Sequence, residues 1–306
     1  MPVKSKTTER GLALVITLLI TAILVAVITE IVFAVHINTE ATRNYKDSQE
    51  ASLLAQGGIE LMKKAIEETM KGKSHTAFNE DDIHRVFVEG NKVLSIKIED
   101  EQCKISANSI VFRNGETNNE YYDTYSRLLY NLELEEGLVD TLADWIDIND
   151  LPRAEGAESY DYYERLSPAY RTKGSPLDSV EELMLIKGYT FENHKVISPF
   201  ITVYTDGKIN INTAQKEVIM ALSKDITEEM AQSVIKYRKK IPFKGTADIR
   251  KVSGFETIGF DLQNRITVKS NTFRIFSRAT VGESVREVEA VIHMGGGGRT
   301  LFRRER

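Results

Sequence analysis

The chain predicts an α+β architecture: a long N-terminal helix packed on an antiparallel sheet, with a large, mostly helical domain inserted between the strands. Three observations predict it. An apolar run from Leu12 to Val35 passes straight into a segment whose apolar residues recur at three and four. A period of two runs from Arg85 to Ile98 and returns far away in the chain, in Thr272–Ser277 and Val285–His293. Between them stands a long stretch patterned as short helices. Strands of one sheet must meet in space whatever their separation in sequence, so the stretch between them reads as an insertion.

The first element begins with a short basic head, Lys4, Lys6 and Arg10 with Glu9 the only acid, that ends at Gly11. No charge then appears until Glu30. At about 1.5 Å per helical residue, 12–35 makes a rod of roughly 36 Å, enough for one tilted crossing of a hydrocarbon core roughly 30 Å thick. Because the cations lie on the N-terminal side, the positive-inside bias keeps the head in the cytoplasm and exports the rest. A cleaved secretory signal has an apolar core of roughly 7–15 residues, shorter than this one. A plain signal anchor fits the same hydropathy. In a third reading, Glu9-Arg10-Gly11 resembles the prepilin leaders cut on the cytoplasmic side after glycine, which implies cleavage between Gly11 and Leu12.

Residues 36–72 continue the helix with a changed character. Ala51, Leu54, Ala55, Gly58, Ile59, Met62 and Ile66 form one apolar stripe, with Lys63, Lys64, Glu67 and Glu68 between them. Gly57-Gly58 is a soft spot, since each glycine costs up to about 1 kcal/mol against alanine in a helix. Val86, Val88, the turn Glu89-Gly90-Asn91, Val93, the segment Ser95 to Ile98 and the segment Cys103 to Ala107 then read as an antiparallel meander within 73–123. The insertion is placed at 124–270 and the returning strands at 271–294. Residues 295–306, four glycines followed by arginines, read as a frayed basic tail.

Net charge is −5, which does not advertise nucleic-acid binding, and Cys103 is the one cysteine, so no intrachain disulfide forms. No nucleophile–base motif, phosphate loop or metal-spaced histidine set points to an enzyme.

The insertion opens on its most informative polar stretch. Leu138, Leu142, Trp145 and Ile146 make a helix face, and Pro152 marks where helix has given way to loop. The loop gathers Asp147, Asn149, Asp150, Glu155, Glu158 and Asp161 around Gly156, against the single base Arg153. Such crowding is compatible with an open, solvated loop, with hard oxygen ligands around a cation such as calcium, or with a catalytic carboxylate pair. The spacing is not that of an EF-hand.

Further on, Ser179 and Glu182 form a capping box before a helix that Gly188 ends, Thr213 caps a helix through Leu222, and Thr227 caps another through Arg238. These short helices resemble a helix-hairpin-helix module. In DNA-binding versions a glycine link lets backbone N–H groups approach a phosphate. Here the link is Ser223-Lys224-Asp225-Ile226, without glycine and with an acid where phosphate would sit. Lys236, Arg238, Lys239 and Lys240 need no ligand as a solvated helix end. A membrane-tethered DNA-binding protein is the alternative that this module raises.

In order along the chain stand the Gly11 leader, the long helix, Asp144-Trp145-Ile146-Asp147, Gly156-Ala157-Glu158, Tyr163, Pro168-Ala169-Tyr170, Glu182-Leu183, Lys187-Gly188 and Asn210-Ile211-Asn212-Thr213-Ala214. Together they resemble the minor pseudopilin K family of type II secretion systems. The resemblance implies a pilin-like helix and sheet with a large helical domain inserted in the sheet. It also implies calcium in that domain, carried here to Asp147, Asn149, Asp150 and Glu158. Its implied partners are a prepilin peptidase, which cuts after Gly11, and other minor pseudopilins at the tip of a periplasmic pseudopilus; no nucleic acid is expected. Most pilin-like proteins carry glutamate five residues past the cut, and here that position is Ile16. A carboxylate there would pair with a neighbour's free amine inside lipid, where an unpaired charge costs several kcal/mol, and Ile16 cannot make that bond.

Overall fold

The structure, a computed structural model, describes residues 6–78, 83–295 and 297–306, with the side chains of 6–10 left out of the description. Lys4 of the basic head therefore lies outside the described residues. The first helix, α1, runs Lys6–Met70 without a break, 65 residues or about 97 Å at the usual rise. Its apolar window is not buried by protein at all, unlike the core helix of a soluble fold. That surface suits a single-pass membrane anchor.

Strands β1 (His84–Glu89) and β2 (Lys92–Asp100) follow. The insertion begins at once, with β3 (Ile105–Ser106), α2 (Asn119–Asn131), α3 (Leu138–Ile146), α4 (Phe191–Ile197), β4 (Ile201–Thr202) and β5 (Ile209–Asn210). It continues with α5 (Lys216–Ala221), α6 (Glu228–Lys240), α7 (Ile258–Leu262) and β6 (Ile266–Thr267). Strands β7 (Thr272–Val281), β8 (Ser284–His293) and β9 (Arg299–Glu305) complete the chain. The main sheet has the order β1-β2-β7-β8-β9, antiparallel throughout, and the insertion bridges the adjacent strands β2 and β7.

Two cores result. Ala51, Ala55, Ile59, Met62 and Ile66 of α1 pack on Ile96, Ile98, Phe273, Ile275, Val288 and Ala290 of the sheet. A second and larger core, including Leu128, Leu142, Tyr163, Val218 and Phe255, lies wholly within the insertion. The stripe expected on α1 is the face that packs, because a period of 3.6 places those residues along one line.

Three expectations are corrected. Ile105 and Ser106 do not extend the meander; they pair in parallel with Ile201 and Thr202, and Ile105, Ala107 and Ile110 are buried in the insertion's core. The insertion thus starts just after Asp100 rather than at residue 124. Period two marks a strand but not its partner, so the pattern alone did not assign this one. The tail is no frayed end: Arg299–Glu305 pairs with β8, Arg304 bonds Glu289 at 2.7 Å, and the Glu305 carboxylate accepts from Ser52 and Gln56 of α1. Arginine spacing without apolar alternation concealed it. Residues Val180–Leu185 form 3-10 turns rather than an α-helix, with Glu182 accepting from the Ser179 N–H at 3.2 Å as the capping pattern requires.

The two parts join through buried polar groups. Asp100, at the end of β2, accepts from Thr213 at 2.5 Å, from Ser270 at 2.6 Å and from Asn210 at 3.2 Å. Thr213 is therefore spent on the junction instead of capping α5, whose N-cap is Gln215. Beside it, fully buried Glu101 binds Lys104 at 2.9 Å and Arg274 at 2.7 Å, and Arg274 also reaches Glu289. Burial opposes ionisation of Glu101, but Lys104 and Arg274 outweigh it and hold its carboxyl below the usual range.

The junction also fixes direction. Lys92, at one end of the sheet, pairs with Glu50 in the middle of α1. The opposite end, at Asp100 and Phe273, adjoins Thr76 just past the helix, where the Thr76 N–H donates to the Val268 carbonyl at 2.7 Å. The insertion therefore caps the end of the sheet farthest from the apolar span.

Candidate functional site

The scattered polar motifs converge on one place. Helix α3 buries Leu138, Leu142, Trp145 and Ile146 and so presents Asp144 and Asp147, also buried, at its C-terminal end. Asp144 organises the following loop. Its Oδ2 accepts from the N–H groups of Arg153 at 3.1 Å and Ala157 at 2.9 Å, and its Oδ1 takes the Arg153 guanidinium. Arg153 Nη1 also bonds Asp147 Oδ2 at 2.7 Å, and its Nη2 reaches Thr117 at 2.8 Å. Gly156 is required by this wrapping, since a Cβ there would stand 1.8 Å from Asp144 Oδ2 and 2.9 Å from the Arg153 nitrogen.

The aromatic motifs brace the same loop from behind. Trp145 and Tyr163 meet edge to face at 5.2 Å, and Tyr170 packs on both. Lys187 completes the cradle, its Nζ donating to the Gly156 carbonyl at 3.0 Å and its N–H to the Tyr163 hydroxyl at 3.1 Å.

Glu158 enters from the far side of the loop, with no exposed surface. Among the described residues its Oε2 is held only by Thr172 at 3.4 Å, and its Oε1 is buried without a hydrogen-bond partner. Asp147 Oδ1 is buried and unpartnered as well. Burial first, then the charges of Asp144, Asp147 and Asp150, push Glu158 up to about 7. Among the described residues, Asp144 and Asp147 thus share one guanidinium while Glu158 has no cation within ion-pair distance, and Asp147 Oδ1 and Glu158 Oε1 lack any donor.

Among the described residues no three carboxylate, imidazole or thiolate groups are spaced to encircle an ion as they stand, because Arg153 sits between Asp144 and Asp147. The orphaned oxygens nonetheless fit a hard cation, which is what a buried surplus of negative charge calls for. Of the residues implied as ligands, Asp147 and Glu158 are buried here, whereas Asn149 and Asp150 are exposed on the loop beside them. Asn149 Oδ1 accepts from the Leu151 N–H at 2.9 Å. Asp144 was absent from the implied set. Its position three residues before Asp147, one helical turn away, is the signal that places it on the same face.

The hairpin of short helices has its first helix end, before the link, held by two arginines from elsewhere in the insertion. Arg127 donates to the Ala221 carbonyl at 2.8 Å and Arg265 to the Leu222 carbonyl at 2.5 Å, so side chains of the insertion cap the helix end before the link. On the membrane helix, Gly11, Leu12 and Ile16 are all exposed, and Ile16 lies within an unbroken apolar surface.

Two family models match this domain, both described as "Type II secretion system (T2SS), protein K", over residues 104–206 and 209–269, together more than half of the chain. The chain belongs to this family. The first matched residue, 104, falls at the start of the insertion as the core defines it. Relatives named "Type II secretion system protein K" include one from Pseudomonas aeruginosa, 23% identical over 95% of this chain and 90% of that one. Another, from Pectobacterium carotovorum, is 26% identical over 94% and 93%. A chain in the crystal structure of the GspK-GspI-GspJ complex from the enterotoxigenic Escherichia coli type 2 secretion system has the same fold, with a TM-score of 0.73 at 17% identity, covering 87% of this chain and 99% of that one. Family membership leaves the DNA-binding alternative without support.

Proposed function

We propose that the chain is a non-enzymatic structural subunit, a minor pseudopilin that forms the tip of the periplasmic pseudopilus in type II protein secretion and starts its assembly with other minor pseudopilins. One observation carries the reading: the insertion crowns the end of the sheet distal to the apolar helix, as joined there by Asp100 and Thr76. A subunit so capped leaves room for neighbours below and none above. Ile16 fits the same position, since a subunit with nothing above it has no neighbour's amine to receive. The helix lies in the bacterial inner membrane with its N-terminus cytoplasmic and its bulk periplasmic. Prepilin peptidase cuts between Gly11 and Leu12, turning a membrane address into an assembly helix. Gly11→Leu should leave the leader attached, read as retained mass by intact-protein mass spectrometry; a mature-length product would overturn the cleavage.

Calcium belongs to this reading as the cation of the acidic loop. Asp147 and Glu158 would hold it from the buried side and Asn149 and Asp150 from the exposed side, where it would neutralise the surplus charge and pin the loop. The pH dependence gives a test. Glu158 keeps its proton to about 7 when folded and loses it near 4.5 when unfolded. The folded state binds more protons in that window, so in chelator the stability contributed by Glu158 is full below it and is lost as pH rises through it. Calcium should raise the melting temperature most at the upper end of the window. Asp147→Asn with Glu158→Gln should abolish both the calcium response and the pH slope. Identical melting with calcium and with chelator above pH 7 would reject the site.

A further inference from the structure

A second feature of the molecule lies apart from the acidic loop. It is an open cleft of about 1190 Å³ between the sheet face opposite α1 and the insertion, walled by β2 and β7 on one side and by α4 and the end of α6 on the other. Its volume exceeds the roughly 300–1,000 Å³ typical of small-molecule sites. Its charges are sorted. Of the acids that line it, Glu99 has Lys97 at 2.8 Å and Lys104 at 3.6 Å, Glu181 has Arg304 at 3.4 Å, and Asp100 is held by the hydroxyls of Thr213 and Ser270.

The cations at the end of α6 are not matched. Arg238, Lys239 and Lys240 line the cleft, and none has a carboxylate within ion-pair distance among the described residues. Arg238 is only half-buried at the surface of the fold yet sunk in the cleft wall, where its guanidinium is held by the Ile211 carbonyl at 2.7 Å. Burial pushes it down to about 10, the mark of a cation without a counterion. His194 lines the same cleft, its Nε2 buried and without a hydrogen-bond partner among the described residues. Apolar surface from Phe276, Ile201 and Pro199 lies between the charged walls.

We infer that this cleft binds an extended acidic peptide segment of another protein, with Arg238, Lys239 and Lys240 pairing its carboxylates and the Phe276 floor taking its apolar side chains. A chain of net charge −5 that keeps, among the described residues, three cations without a carboxylate partner on one wall of this cleft is complementary to an acidic ligand. A peptide suits it better than a nucleic acid. The apolar surface of Phe276, Ile201 and Pro199 between the charged walls gives a peptide's side chains a contact that a phosphate backbone cannot make.

The test uses the full chain in detergent micelles and a fluorescein-labelled peptide of alternating glutamate and leucine, read by anisotropy. The acidic peptide should bind and weaken with added salt, and Lys239→Glu with Lys240→Glu should lower affinity at least about tenfold while circular dichroism stays unchanged. Arg238→Met should lower it too. Because Lys239 and Lys240 are exposed, the double variant remains informative even where the arginine variant fails to fold. Undiminished binding by the double variant, equal binding of a lysine–leucine peptide, or displacement by duplex DNA at lower concentration would each overturn the inference.

Discussion

Arg274→Met is expected to destabilise the folded chain by about 3 kcal/mol or more, the range for breaking a buried ion pair from one side. Arg274 is the cation that Glu101 of the junction and Glu289 of β8 share, and both acids are buried. Lys104 still serves Glu101 and Arg304 still serves Glu289 after the change, which keeps the loss at the lower end. The sign with pH follows from Glu101, whose carboxyl is held below its ordinary value in the folded state. Its contribution is present above about 4.5 and is lost as pH falls through the folded-state value, so the variant's deficit should be widest near neutrality and shrink in acid. Denaturant midpoints of the two proteins measured across that range give the answer. A deficit that stays constant with pH would mean that packing, not charge, is what Arg274 supplies.

Gly58→Leu should lift α1 from the sheet and cost about 3 kcal/mol, the upper part of the overpacking range. A Cβ on Gly58 would stand 2.2 Å from Ser277 Oγ, 3.2 Å from Ile96 Cδ1 and 3.3 Å from Leu94 Cδ1. The neighbouring Gly57 faces open space, so Gly57→Ala should instead gain up to about 1 kcal/mol of helix propensity. Thermal unfolding of the two variants side by side separates the positions. Equal shifts of the same sign would show that α1 does not approach the sheet as closely as the structure has it.

The glycine pair illustrates where sequence reasoning reaches its limit. As an adjacent pair in a helix they carry the same propensity penalty, and nothing local distinguishes them. Only the approach of β2 and β7 makes Gly58 necessary. The same holds for the acidic loop. The concentration of acids around Gly156 was plain, but which of their oxygens end up buried without a donor was not. Asp147 and Glu158 do; Asn149 and Asp150, equally prominent in sequence, remain at the surface. Arg238 is a further case, one cation among four in a basic helix end until the insertion closes over the sheet.

What the sequence by itself determined is what depends on neighbours along the chain. The apolar span, the stripe from Ala51 to Ile66, the strand periods and the helix face of Leu138 to Ile146 all arise from periodicity, and periodicity is local. So was the family, through a succession of short motifs in order. What only the tertiary structure decided is partnership across distance. Ile105 leaves the meander for the insertion, Thr213 leaves its helix cap for Asp100, and the arginine tail becomes an edge strand tied to Glu289 and α1. In each case a residue's local preference was satisfiable in more than one way, and the hydrogen-bonding and charge requirements of groups buried at the junction selected one of them.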